Sequence, residues 1–176
     1  MADISLKVGT SGAAYTQTGV RAVRVPDGHG GWSFFQVSGG SADIAALVDR
    51  SITSVSAADL DGITKVGAYA FANCASLTQA VIPEGVTEIS TSAFNLSSIS
   101  TLDLPSTLTV IGGNAFAWTS IRSLTVRAAS PPTLASTAFT SADTSNLIIY
   151  VPAASVAAYK AASGWSSYAS KIQAIA

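Results

Sequence analysis

Apolar residues recur along the chain with a long, fixed period. An Ala-Phe pair ends at Phe71, Phe94, Phe116 and Phe139, so consecutive pairs are 22 or 23 residues apart. An aliphatic residue follows each of the first three Phe residues after five or six positions, and two more apolar positions come three and five residues later. These positions are Leu77, Ala80, Ile82, Ile99, Leu102, Leu104, Ile121, Leu124 and Val126. A unit this short cannot bury its own apolar face, so the pattern predicts units that stack around one shared core.

Each unit contains a short segment with the alternation of a half-buried strand. In Thr101-Leu-Asp-Leu104 the apolar residues alternate with polar ones, which predicts a strand with one face in the core. Pro83 and Pro105 follow two of these strands and end them, because proline has no N–H to donate. Arg127 stands at the same place in the third copy. We also expect the four Phe side chains to stack into an internal row, with the small Ala beside each one allowing coils to approach.

A second pair of apolar positions lies between each proline position and the next Phe. The three pairs are Ile63/Val66, Val86/Ile89 and Leu108/Ile111. The segment from Ser51 to Val55 has the pattern of the strand half of a degenerate earlier unit. The repeat therefore extends over most of the chain after residue 50.

The repeat resembles the unit of the BspA-like leucine-rich-repeat family. The best copy reads AFANCASLTQAVIPEGVTEIS, residues 70–90, and the likeness covers residues 51–176. The resemblance implies a solenoid of short strands with little helix. Only one copy keeps the cysteine, Cys74; Leu96 and Trp118 are assigned to the matching places, which predicts a buried row rather than a reactive thiol.

The end of the chain is similar to the usual C-terminal closure of that family. The run from Leu147 to Val151 predicts a last strand, which ends at Pro152. Ser155 then begins a short helix, and Gly164 ends it in the left-handed conformation. The helix carries Val156, Tyr159 and Lys160, and the side chains expected to cover the open end of the core are Trp165, Tyr168 and Ile172. Residues 153–176 are therefore predicted to form a C-terminal helical cap on a solenoid of residues 41–152.

Residues 1–40 have a different pattern and predict an N-terminal β-hairpin module. Two strand-like segments, residues 20–25 and 32–37, flank the turn sequence PDGHGG, and an earlier strand at residues 4–8 is expected to pair with them. Gly39-Gly40 is read as a hinge. Beyond it, Ser41 is expected to begin a short helix that closes the N-terminal end of the solenoid. The apolar residues of that helix would be Ile44, Leu47 and Val48.

Three aromatic residues in the second strand of the hairpin are candidates for docking. Trp32, Phe34 and Phe35 place an aromatic side chain on each face of this strand, so one face needs a partner. We therefore predict anchoring or homo-oligomerisation through residues 1–40. Residues 15–37 also loosely resemble N-terminal segments of phage and prophage tail-associated proteins of gut bacteria, where a small β module precedes a repeat or adhesion domain.

The amino-acid composition excludes several classes of binding site and structural site. Charged residues make up 11% of the 176, and the formal net charge of −1 does not provide the basic surface that nucleic acid requires. One cysteine excludes a disulfide scaffold and a cysteine-based zinc cluster. The start of the chain lacks the basic and apolar parts of a secretory signal, and no run of 18 apolar residues predicts a membrane span.

Motifs that would carry catalysis are incomplete. His29 lies in a glycine-rich turn without a partner for a triad, and Asp59-Leu-Asp-Gly62 lacks the later ligands of a calcium loop. Glu84 and Glu88 lie on opposite sides of a turn glycine and do not predict a paired-carboxylate site. The sequence therefore predicts no enzyme activity, no cofactor and no metal.

The better candidates for function are polar positions on the repeat strands. If the aliphatic residues point inward, the outward positions of successive coils form ladders about 4.8 Å apart. The candidate ligand-face residues are Gln79, Val81, Thr101, Asp103, Arg122 and Thr125. Repeat proteins bind along such faces, although the same residues would also serve simply to solvate the sheet.

The function predicted from these features is adhesion. The first hypothesis is a phage or prophage virion protein of a tail or head fibre or decoration, made in the host cytoplasm. It would display the repeats to a host-surface protein or glycan and contact other virion proteins. The alternative is a BspA-like adhesin on a bacterial cell surface. A third hypothesis, a hydrolase, requires a deep polar cleft that contains a group with a perturbed pKa.

Overall fold

The computed structural model describes Arg50, residues 52–60 and residues 62–176, together with the backbone of five earlier strands. Those strands are β1 (Leu6–Lys7), β2 (Ala14–Tyr15), β3 (Arg21–Pro26), β4 (Trp32–Ser38) and β5 (Asp43–Ile44). The later strands are β6 (Ser54–Val55), β7 (Lys65–Val66), β8 (Gln79–Val81), β9 (Glu88–Ile89), β10 (Thr101–Leu104), β11 (Val110–Ile111), β12 (Ser123–Val126), β13 (Thr133–Leu134), β14 (Ile148–Val151) and β15 (Ile172–Ala174). One α-helix, α1 (Val156–Ala161), is present, with 3₁₀ turns at Ala57–Leu60, Ala153–Ser155 and Ser166–Lys171.

The chain winds as a solenoid whose coils contribute strands to two open sheets. The first sheet has the order β15-β14-β12-β10-β8-β6, and all its pairings are parallel. The second sheet has the order β13-β11-β9-β7-β5-β4-β3 and is parallel from β5 to β13. The predicted repeat solenoid of short strands is confirmed, and the repeat strands pair in parallel.

The core lies between the two sheets and the turns that join them. Leu102 and Leu104 in β10 are fully buried, whereas Thr101 and Asp103 are not, as the alternation predicts. The predicted aliphatic positions of both half-units are buried as well. Ring centroids are 5.0 Å apart for Phe71 and Phe94, 5.9 Å for Phe94 and Phe116, and 5.1 Å for Phe116 and Phe139. The expected aromatic row therefore runs through four coils.

The prediction that Leu96 and Trp118 are buried beside Cys74 is wrong. Both residues are exposed, Leu96 by 50% and Trp118 by 61%, and both have a positive φ. The buried row lies one position later in each turn, at Cys74, Ser97 and Thr119. The register was misassigned because the left-handed residue directly before this row carries its side chain to the outside of the turn.

The C-terminal segment differs from the prediction in several details. The strand at Leu147 to Val151 is not the last one, because β15 pairs with β14 beyond it. The predicted helix is present as the six-residue α1, but the Ser155 side chain does not cap it and donates to the carbonyl of Ala129 at 2.7 Å. Gly164 has the expected left-handed φ of 81°, and a Cβ there would lie 2.7 Å from the carbonyl oxygen of Leu134.

Two buried aromatic residues join this segment to the last coil. The hydroxyl of Tyr159 donates to the carbonyl of Ala128 at 2.8 Å, and Nε1 of Trp165 donates to the carbonyl of Pro132 at 2.7 Å. Both side chains are fully buried, and burial raises the pKa of the Tyr159 hydroxyl well above its usual value. The Tyr159 hydroxyl and the Trp165 indole N–H thus provide hydrogen-bond donors to carbonyl groups at the end of the stack.

At the other end of the chain, the predicted hairpin is present and β3 pairs antiparallel with β4. The earlier strand β1 pairs with β2 in a separate two-stranded sheet, not with the hairpin as expected. The helix predicted after Ser41 is wrong at Ile44, which lies in β5; Leu47, Val48 and the Gly39-Gly40 hinge lie outside the described residues. Because β5 pairs with both β4 and β7, the hairpin continues the second sheet. The domain boundaries at residues 40 and 152 remain predictions.

Candidate binding surface

The outward face of the first sheet carries two ladders of side chains that run across its strands. Parallel pairing aligns the members of the first ladder, which are Ser54, Gln79, Thr101, Ser123 and Ile148. The second ladder consists of Val81, Asp103, Thr125, Tyr150 and Gln173. Gln79 and Thr101 are exposed, and Val81, Asp103 and Thr125 are half-buried. Five of the six predicted ligand-face residues therefore lie on these ladders.

Arg122 is the exception. It is exposed but precedes β12, and its backbone N–H donates to the carbonyl of Ser100, which likewise precedes β10. The ladder position belongs to Ser123, which pairs with Thr101. Strict alternation before the buried Leu124 would have identified Ser123 from the sequence.

A fixed ion pair lies in the middle of this face. Nε of Arg127 donates to one carboxylate oxygen of Asp103 at 2.8 Å, and a terminal nitrogen donates to the other at 2.6 Å. These hydrogen bonds raise the pKa of the Arg127 guanidinium. The side chains of Arg127 and Asp103 are 50% and 25% exposed, so solvent screens the pair and it adds little stability, but its two-pronged geometry fixes both side chains.

Hydroxyl groups beside the ladders join neighbouring coils. Oγ of Ser100 donates to the carbonyl of Thr78 at 3.0 Å, and Oγ1 of Thr78 donates to the carbonyl of Thr53 at 3.3 Å. Thr109 and Thr87 repeat this arrangement beside the second sheet, donating to the carbonyls of Thr87 and Thr64. These hydroxyls are occupied by the stacking of coils.

The ladder hydroxyls are different. Within the described part of the chain, the side chains of Thr101 and Thr125 make no hydrogen bond. Their strands pair with the neighbouring strands through the backbone. The hydroxyls of Thr101 and Thr125 can therefore both donate to and accept from a ligand, whereas those beside the ladders have already used their donor.

Glu84 and Glu88, which the sequence does not predict to form a paired-carboxylate site, are both stabilised in the charged form. Hydrogen bonds from the backbone and side chain of Ser106 lower the pKa of Glu84. Burial acts to raise the pKa of Glu88, but hydrogen bonds from Ser90 and Lys65 outweigh it, so the net shift is downward. Neither carboxyl has the raised pKa that a general acid needs.

The predicted docking residues of the hairpin lie on β4. Trp32, Phe34 and Phe35 are part of the strand that pairs with β3 along its length, as the alternating pattern predicted. Their side chains lie outside what the structure describes. Docking or oligomerisation through them remains a prediction.

Two further features bear on function. Among the residues that the structure describes, no group of three or more His, Cys, Asp or Glu side chains is placed to hold a metal ion. No helix in that same part of the chain has the length and apolarity needed to cross a bilayer.

Comparison with known proteins identifies the repeat. A profile of the BspA type leucine rich repeat region, with six copies, matches residues 47–157. The chain belongs to this family. The BspA-type match begins ahead of β6 and ends within α1, so it includes the degenerate unit at residues 51–55. Residues 15–37 lie before the match, and their likeness to phage tail-associated proteins remains a prediction.

The chain was also compared with curated sequences and with solved structures. No curated protein sequence matches the chain. Among solved structures, the chain is similar to a leucine-rich repeat protein from Bacteroides ovatus ATCC 8483, with 17% sequence identity and a TM-score of 0.43. That match covers 78% of this chain and 40% of the other chain, so this chain spans less than half the length of its neighbour.

Proposed function

We propose that this chain is a non-enzymatic adhesion domain that binds a host-surface protein through the outward face of its first sheet. The observation that carries the proposal is the pair of aligned ladders, which cross the strands without interruption and leave the hydroxyls of Thr101 and Thr125 available. A flat face that extends over several strands fits the extended surface of a protein. Repeat proteins use such surfaces for binding.

The family supports the class of function. BspA-type leucine-rich repeats are binding modules that are typically exposed at a surface, and they act by contact rather than by catalysis. A bacterial cell surface is therefore the location that we favour.

The likeness of residues 15–37 to tail-associated proteins is one basis of the virion hypothesis, whereas the family match supports the cell-surface alternative. A homo-oligomer would increase the avidity of individually weak contacts in either location. The C-terminal segment would close the stack in both cases, because it covers the carbonyl groups of the last coil.

The experiment compares two matched variants of the full chain. Thr101→Arg places a large charged side chain on the first-sheet ladder, and Thr133→Arg places the same side chain on β13 of the second sheet. Both threonines are exposed strand residues. Beads that display many copies of each protein are tested against immobilised extracellular-matrix and cell-surface proteins.

We expect Thr101→Arg to weaken binding by about tenfold or more, since the centre of an interface holds most of its energy. Thr133→Arg should bind like the unaltered chain. Equal binding by the two variants, or no binding to any protein of the set, would refute the proposal.

A further inference from the structure

The turns around the four Phe residues form a third face of the solenoid, which we call the turn face. It comprises residues 67–76, 90–98, 112–120 and 135–143. All three large apolar side chains that are exposed among the described residues lie here: Tyr69 by 53%, Leu96 by 50% and Trp118 by 61%.

Leu96 and Trp118 occupy the same position of adjacent coils. The backbone N–H of Leu96 donates to the carbonyl of Ala117 at 3.0 Å, and that of Trp118 donates to the carbonyl of Thr140 at 3.1 Å. Asn73 and Ser141 hold this position in the coils on either side, and both are exposed. The two apolar residues are therefore bracketed by an amide and a hydroxyl along one line.

The stability of the fold does not explain why Leu96 and Trp118 occupy these positions. All four residues of this line have a φ between 55° and 58°, a conformation that asparagine tolerates and bulky residues rarely adopt. The left-handed backbone is unfavourable for an ordinary L-residue because its Cβ lies too close to the following carbonyl oxygen. With 61% of its surface exposed, Trp118 also gains only part of the free energy that full burial of an indole would provide. Residues that conflict with both backbone and solvent point to a function.

The turn face is almost uncharged. The chain has 9 Lys and Arg and 10 Asp and Glu residues, and of these only Asp143 lies within the four segments of the turn face. The remaining positions are mostly Ser, Thr, Asn, Ala and Gly. A partner recognised here by complementarity is therefore neutral and has both apolar patches and hydroxyl groups.

The exposed apolar area at the centre of the line is small. A whole Trp side chain offers at most about 250 Å², so the exposed part of Trp118 is roughly 150 Å². An occupant the size of one or two sugar rings matches the exposed area.

We propose that the turn face binds a neutral glycan, with a pyranose ring stacked on the indole of Trp118. The C–H face of the ring covers Trp118 and Leu96, which removes their apolar surface from water. Hydroxyls of this ring and of its neighbours in the oligosaccharide bond to the exposed Asn73 and Ser141, which lie about 14 Å apart at the two ends of the line. This site lies apart from the first-sheet ladders and goes beyond the protein binding proposed for them.

The test uses the full chain and neutral oligosaccharides as probes: maltoheptaose, cellohexaose, mannohexaose and laminarihexaose, with a hyaluronan octasaccharide as the charged comparison. Binding is measured by calorimetry and by saturation-transfer NMR. Trp118→Ala should weaken binding of the neutral probe by about tenfold or more, as loss of an aromatic anchor does. Trp118→Phe keeps an aromatic face and should bind within about threefold of the unaltered chain.

Two variants are controls. Thr133→Arg alters the second sheet and Thr101→Arg alters the first sheet, and neither residue lies on the turn face. Both should keep glycan binding. Binding to none of the neutral probes, binding that survives Trp118→Ala, or a stronger response to hyaluronan would overturn the proposal. Loss in Thr101→Arg with retention in Trp118→Ala would also overturn it while supporting the first sheet as the binding face.

Discussion

Two adjacent positions in the same turn invert the usual distribution of polar and apolar residues. Ser97 and Thr119 are buried, whereas the residues directly before them, Leu96 and Trp118, are the ones in water. The hydroxyls of Ser97 and Thr119 each donate at 2.7 Å to the carbonyl of the Phe three residues earlier. In this turn, the backbone conformation rather than the polarity of the side chain decides which residue is buried and which is exposed. A buried hydroxyl is tolerated because the turn supplies its acceptor.

The largest difference in the free energy of unfolding is expected between two alanine substitutions in this turn, one of a buried and one of an exposed aromatic residue. Phe116→Ala removes a fully buried ring from the middle of the stack and should lower the free energy of unfolding by about 3–5 kcal/mol. Trp118→Ala, two residues later, should change it by less than about 0.5 kcal/mol because most of the indole is exposed. Urea unfolding followed by circular dichroism measures both. A comparable loss in the two variants would show that Trp118 belongs to the core.

The next effect concerns the buried hydroxyl. Thr119→Val keeps the volume but leaves the carbonyl of Phe116 without its side-chain donor, so we expect a loss of about 1–2 kcal/mol. Thr140 is a matched control, since its hydroxyl donates to the carbonyl of Thr137 at 2.8 Å in an exposed turn. Thr140→Val should cost less than about 0.5 kcal/mol because water replaces the bond. Equal costs in urea unfolding would mean that burial does not set the value of this contact.

A smaller effect of opposite sign tests the backbone directly. Trp118→Asn places at φ 58° the residue type that the first coil already has at Asn73. We expect a gain of up to about 1 kcal/mol in the free energy of unfolding, because asparagine tolerates the left-handed region. Ser98→Asn is a control in the neighbouring turn, where the positive φ is absent. A loss of stability in Trp118→Asn would contradict the idea that the indole is there for a ligand rather than for the fold.

The smallest effect concerns a polar contact that is fully on the surface. Hydrogen bonds from Ser106 lower the folded-state pKa of Glu84. This contribution is present above the unfolded pKa, about 4.3, and is lost as the pH falls through the lower folded value. Glu84→Gln should therefore unfold with a shallower dependence on pH between about 5 and 3 than the unaltered chain. Identical profiles would show that the contact does not influence stability.

Much of the repeat was predictable because its signals are local. The alternation of Thr101 to Leu104 and the recurring Ala-Phe pairs predicted the strands and the aromatic row correctly. The turn positions were not predictable in the same way. Leu and Trp seldom adopt a positive φ, so nothing in Leu96 or Trp118 indicated a left-handed residue, and both were assigned to the core.

The other errors arose where partners from elsewhere in the chain decide the structure. Ile44 has the pattern of a helix start, but pairing with β4 and β7 makes its segment a strand. The strand β15 is short and ordinary in sequence, and it forms because β14 presents an open edge to it. The error at Arg122 was different, since the alternation itself indicated Ser123.

Within the described residues, the hydroxyl groups that donate to a backbone carbonyl of another coil all donate to the preceding coil. Each of Thr78, Ser100, Thr87 and Thr109 donates backward to the coil before it, which leaves carbonyl oxygens unmet at the far end of the stack. Ser155, Tyr159 and Trp165 bring donors to that end. If an internal coil were duplicated, the C-terminal segment would lie one coil further along and would still donate to the same carbonyl groups of the last coil. The architecture provides a gene with a simple way to lengthen its product, one unit at a time, while the same final segment keeps its fit.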